Sequence, residues 1–149
     1  MPFSIPPYRR LPLTYILGFW SLIILLLLSS GPGYAEWVTV SEDKQEGKTA
    51  HINPDAIRDG SLVKMWTLLD YKTTQKREGS LYMSEQAQHE FDCAEERFRM
   101  LALSNYSGNM ASGNVVYSST FDSPETTKWQ PFSTGSLAQT LWNFACGKQ

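Results

Sequence analysis

The chain has 149 residues, with 13 Lys+Arg against 15 Asp+Glu and a formal net charge of −2. This mildly acidic balance argues against nonspecific nucleic-acid binding. The length leaves room for a single domain once a leader is set aside.

The leader comes first in the chain. Arg9 and Arg10 form a positive n-region, and residues 16–28 form an apolar, leucine-rich run broken only by Gly18 and Ser21. Gly31-Pro32-Gly33 ends the run, and Gly33 and Ala35 supply the small residues a signal peptidase reads. Residues 1–35 are therefore expected to be a signal peptide cleaved between Ala35 and Glu36. A retained anchor is the alternative, but the uninterrupted run is short against the ~20 apolar residues of a membrane span. No cysteine follows the cleavage position, so no lipid anchor is expected. The mature domain is residues 36–149, and its expected location is periplasmic, at the outer cell surface or secreted.

Residues 36–41 alternate as in a first strand, and 42–47 are a charged loop ending in glycine. Residues 48–52 return as a second short strand. Asn53-Pro54-Asp55-Ala56-Ile57 reads as a turn, and Asp59-Gly60 as another. Residues 61–71 form the longest strand candidate. Val63, Met65, Leu69 and Tyr71 share one face, and Leu62, Trp66 and Leu68 the other. Apolar residues on both faces call for cover on both, through sheet curvature or a partner subunit. Residues 72–79 read as a solvated basic loop and 80–92 as a strand, although 84–90 have helix-friendly composition. Residues 97–106 are a further strand, with Phe98, Met100 and Ala102 on one face and Leu101 and Leu103 opposite. A turn-rich loop (107–113) leads to a last strand over 114–121, and 122–134 are irregular.

A C-terminal helix is the sharpest expectation. Ser136 and Gln139 have the spacing of a capping box, and Gly147 can end the helix. Leu137, Leu141, Phe144 and Ala145 cluster on the wheel, broadened by Ala138 and Trp142. The chain's two cysteines, Cys93 and Cys146, allow one pairing, and an exported chain meets an oxidising compartment. A Cys93–Cys146 disulfide would staple the helix to the sheet. Free thiols or a metal site are the alternatives, but neither cysteine has a Cys or His at ligand spacing. The fold class expected from the residues is α+β: one curved antiparallel sheet of about six strands with a C-terminal helix packed on it.

Several segments, taken in order, resemble the surface-adhesin protein E family of bacterial exported proteins. They begin with Trp37-Val38-Thr39-Val40-Ser41, Asn53-Pro54-Asp55-Ala56-Ile57-Arg58 with Gly60, Leu62-Val63-Lys64-Met65-Trp66 and Asp70-Tyr71-Lys72. Glu90-Phe91-Asp92-Cys93 with Arg97 and Arg99 follows, then Tyr106-Ser107-Gly108 through Gly113 to Val115-Val116. Trp129, Pro131, Gly135-Ser136, Leu141-Trp142 and Cys146 complete the set. The resemblance implies a six-stranded antiparallel sheet crossed by a C-terminal helix and a tendency to homodimerise. It also implies adhesion to protein partners, extracellular-matrix glycoproteins such as vitronectin and laminin among them. The missing lipid-anchor cysteine is the main departure from the family's surface-displayed form.

No nucleophile elbow or phosphate-cradling glycine loop is present, and His51 and His89 belong to no ligand spacing. The expected function is therefore a noncatalytic binding module without cofactor or metal. Its candidate binding residues are Lys72, Lys76 and Arg77, near Tyr71 and Tyr82, together with Arg97 and Arg99 on one strand face. The bland alternative is a solvated charged loop. Two other functions compete: an accessory subunit of an envelope assembly, and a small periplasmic hydrolase or metal-handling protein using His51 or His89. Charge pairing between Asp92, Glu95, Glu96 and the two arginines is preferred over paired-carboxylate catalysis.

Overall fold

The computed structural model describes residues 36–123 and 127–147. The leader segment, and with it the position of cleavage, lies outside the described residues. The elements are β1 (Val38–Asp43), β2 (Lys48–Ile52), β3 (Ile57–Asp59), β4 (Leu62–Arg77), β5 (Ser80–Asp92), β6 (Arg97–Tyr106), β7 (Val115–Thr120), β8 (Gln130–Pro131) and α1 (Leu137–Cys146). They form one antiparallel sheet in the order β1-β2-β4-β5-β6-β7, with β3 on β4 and β8 on β6. The expected α+β class holds. The sheet has eight strands, because the two short ones escape periodicity reading. No helix among the described residues is long and apolar enough to cross a membrane.

Turn chemistry fixes the register. Asp43 Oδ1 accepts from the amides of Gln45 and Glu46, at 3.0 Å each, ahead of Gly47 at φ 63°. Asp92 Oδ1 does the same for Ala94 and Glu95 at 3.1 and 3.2 Å. The β4–β5 connection is only Glu78-Gly79, both at positive φ, as a two-residue hairpin demands. The basic loop expected over 72–79 is thus a strand up to Arg77. Its polar residues disguise a ladder in which Gln75, Lys76 and Arg77 pair with Tyr82, Leu81 and Ser80.

Pairing divides the sheet into two faces. Val63, Met65, Thr67 and Leu69 stand beside Phe91, His89, Ala87 and Glu85 on the face that α1 covers. The face assignment in β6 needs correction. The register shifts between Gln88 and His89, so Met100 pairs with His89 but Leu103 with Ala87. That bulge moves Leu103 onto the helix face with Phe98 and Met100, and Ala102 to the other. On the opposite face Leu68 is fully buried and Trp66 half-buried. The loop 107–114 is tied there by the chain itself. Ser84 Oγ donates to Gly108 O at 2.6 Å, and Asp70 Oδ1 accepts from the Met110 amide at 2.7 Å. This loop thus lies on the second face of β4, where Leu62 and Trp66 remain half-buried.

Ser136 caps α1, its Oγ accepting from the Gln139 amide at 3.2 Å. The reciprocal bond goes one residue upstream: Gln139 Oε1 accepts from the Gly135 amide at 2.7 Å. Gly147, at φ 68°, terminates the helix. Leu141, Trp142 and Ala145 are buried against Ile52, Val63, Met65 and Phe91. Phe144, expected within the apolar stripe, is 40% exposed, and Trp142 takes the central place. Its indole N–H donates to Asp92 O at 3.1 Å, which sets the helix angle beside the Cys93–Cys146 disulfide.

Candidate functional site

The far end of the β4–β5 hairpin is the most conspicuous surface feature. β2 accompanies β4 only as far as Tyr71, and Gly47 O accepts from the Lys72 amide at 2.9 Å. β6 accompanies β5 only from Ser84 onward. The ladder bonds of residues 73–77 and 80–83 are therefore made within the hairpin. A register shift between Asp70 and Gln75 bends this ribbon. Arg77 then reaches Glu85 at 2.8 Å and lies 5.5 Å over the Tyr117 ring. Tyr82, on the same inner side, is buried and meets Tyr71 edge-on at 5.8 Å. Burial, then Glu85 and Tyr82, push the Tyr71 phenol pKa upward.

Alternation places Lys76 on the outer side of the ribbon, directly opposite Leu81. Lys76 is exposed, and Leu81 is 58% exposed. Lys72 is also exposed, in a 3.5 Å pair with Glu42 that carries little energy in water. The five candidate cations thus separate. Lys72 and Lys76 are available to a partner, whereas Arg77 is committed to Glu85 and Tyr117.

Arg97 and Arg99 form a second, inward-tied group. Arg97 donates from Nε and Nη2 to Asp92 Oδ2 at 3.1 and 3.0 Å. Arg99 Nε donates to Glu90 Oε2 at 2.6 Å, and Lys64 lies 3.8 Å from the other oxygen of that buried carboxylate. Both guanidinium groups stack on Trp129, at 4.8 and 4.4 Å from its centroid. Although burial pushes it up, hydrogen bonds from the Glu95 amide, Arg97 and the Ala94 amide hold the Asp92 carboxyl below its usual range. Of the expected charge pairing, Asp92 with Arg97 is present, while Arg99 takes Glu90 as its acidic partner. Trp129, which locks the pair, and Leu81, which gives the ribbon an apolar contact, were not singled out as site residues. The i, i+2 arginines facing a lone tryptophan were the available signal for the first.

Both histidines are buried in strands. His51 Nδ1 lies 3.1 Å from Thr39 Oγ1, and burial lowers its pKa against a smaller upward pull from Asp70. His89 Nδ1 lies 3.2 Å from Thr67 Oγ1. Burial pushes its pKa down to about 4, so the imidazole is neutral near pH 7. His89 lines a cleft beneath α1, where Thr67 is its only hydrogen-bond partner seen among the described residues. Among the described residues no group of three His, Cys, Asp or Glu could hold a metal ion.

Comparison with known proteins agrees with this architecture. The family model for surface-adhesin protein E matches residues 37–147. No curated protein sequence matches the chain. A crystal structure of protein E from non-typeable Haemophilus influenzae superposes with a TM-score of 0.52 at 10% identity, covering 78% of this chain and 80% of that one. A second crystal form of Haemophilus influenzae protein E gives 0.51 at 11% identity, covering 76% and 97%. At such identities the structural likeness speaks for the fold, whereas the family match spans nearly the whole described domain. The chain belongs to the surface-adhesin protein E family.

Proposed function

We propose that the mature chain is an exported, noncatalytic binding module that captures a protein partner through the outer side of its β4–β5 ribbon. The observation that carries this reading is the pairing of exposed Lys76 with exposed Leu81 on a ribbon that outruns its neighbouring strands. An exposed apolar side chain directly opposite an exposed cation is a contact composition. Lys72 extends the positive character along β4. Acidic segments of extracellular-matrix glycoproteins, vitronectin and laminin among them, have the complementary charge. Residues 1–35 act in this reading as the leader that delivers the domain across the inner membrane.

The test is capture of the mature domain on immobilised vitronectin and laminin. Reversing two cations, Lys72→Glu with Lys76→Glu, should weaken capture about tenfold and flatten its salt dependence. Arg77 stays unchanged in that variant, because a carboxylate there would face Glu85. Thermal unfolding of the double variant should fall only slightly below the parent, since Lys76 is exposed and the Lys72–Glu42 pair that becomes like-charged is exposed on both sides. Undiminished capture would remove the ribbon from the account.

A further inference from the structure

The cleft beneath α1 is a second site, unrelated to the ribbon's outer side. Its volume is about 180 Å³. Ala87, Phe98 and Met100 form its floor on the sheet, and Leu137, Ala138 and Leu141 form its roof on the helix. The helix is held unevenly over this space. Its second half is fixed by Trp142, Ala145 and the Cys146 disulfide, while its first turn overlies the cleft. The first turn, with its cap at Ser136, is the part of the helix that roofs the cleft.

Three polar residues, Thr67, His89 and Glu85, interrupt an otherwise apolar wall. The Thr67 hydroxyl has a single proton, which it donates to Ala87 O at 3.3 Å. The tautomer protonated on Nδ1 lets both contacts be made at once, with the Thr67 oxygen, 3.2 Å away, accepting the imidazole N–H. That tautomer leaves Nε2 with a lone pair. No hydrogen-bond partner of Nε2 is seen among the described residues, and His89 lines the cleft. His89 itself is 8% exposed, so the acceptor is almost wholly withdrawn from bulk water while still reaching the cleft.

These features define a ligand chemistry. An apolar cavity of ~150 Å³ in a protein core accommodates benzene, so a space of this size takes an aromatic ring. An anion finds no cation in the wall, and Glu85 at the polar end would repel it. A cation finds the Glu85 charge already offset by Arg77, which reaches Oε2 at 2.8 Å beside Asn105 at 3.1 Å. A neutral acceptor asks for a neutral donor. We propose that the cleft under the first turn of α1 binds a small uncharged aromatic molecule bearing one hydroxyl or N–H group, its ring against Ala87 and Met100 and its donor hydrogen-bonded to His89 Nε2.

The experiment is an amide-shift titration of the disulfide-intact chain with p-cresol, repeated with toluene. The expected result is saturable binding in the millimolar range or tighter, with shifts concentrated at Ala87, Met100 and Leu141. Toluene, which leaves Nε2 unpaired, should bind about fivefold more weakly. Ala138→Trp from the roof and Ala87→Leu from the floor should each abolish the shifts, and either variant that folds suffices. Absence of saturable shifts, or shifts that persist in a folded cleft-filling variant, would overturn the proposal. So would toluene binding as tightly as p-cresol. The ribbon reversals leave the cleft walls untouched, so failure here is distinguishable from failure of partner capture.

Discussion

Replacing Cys93 and Cys146 together by alanine is expected to lower the unfolding free energy by about 4 kcal/mol, with a fall in Tm on the order of 15 °C. The two cysteines are 53 residues apart in sequence, and their Cα atoms are 5.6 Å apart in the fold. Without the bond, the unfolded chain regains the freedom of a loop enclosing β6, β7, β8 and α1. The native state loses little else, because Trp142 and Ala145 remain in their places beside Phe91. Those contacts then have to hold a ten-residue helix that is too short to persist by itself. Denaturant unfolding of oxidised parent and double variant gives the comparison. An unchanged midpoint would mean that the helix is held by its apolar face alone.

The second large effect is on pH dependence and comes from His89. Its folded pKa is about 4, against 6.5 for the free side chain. Between those values the unfolded chain binds a proton that the folded chain refuses. Unfolding therefore takes up protons, and stability falls as pH drops from 6.5 toward 4. The shift corresponds to about 3 kcal/mol once pH 4 is reached. His51, also lowered by burial, acts in the same direction. Asp92 does not interfere in this window: its depressed carboxyl contributes stability above the unfolded carboxyl pKa, and that is lost only at lower pH. In a His89→Phe variant the decline between pH 6.5 and 4.5 should be much shallower, since Phe91 and Phe98 already surround the ring. Thr67 keeps its bond to Ala87 O. Denaturation midpoints across that range provide the measurement, and parallel declines in both proteins would exclude His89 as the cause.

Much of this fold is legible where a local signal and a tertiary demand coincide. The serine cap, the apolar helix stripe and the terminal glycine all point to one helix, and α1 forms there. Strands β2, β5 and β6 occupy the ranges their alternation indicates. What misleads is composition without pattern. Residues 72–77 carry the charge of a loop, yet a two-residue turn at Glu78-Gly79 makes them a strand. The β6 bulge leaves no trace in the residue types, and it alone decides which of Ala102 and Leu103 is covered. Arg77, Arg97 and Arg99 read as available cations because their acidic partners are brought to them by register. Position on a strand was visible in the residues, but commitment to a partner was not.

If the ribbon is the surface a partner touches, hydrogen exchange of residues 36–149, free and saturated with vitronectin, will show it. New protection is expected over residues 72–82, with residues 97–99 unchanged because Trp129 and their acidic partners already occupy them. Protection elsewhere on the domain with the ribbon unaltered would contradict it.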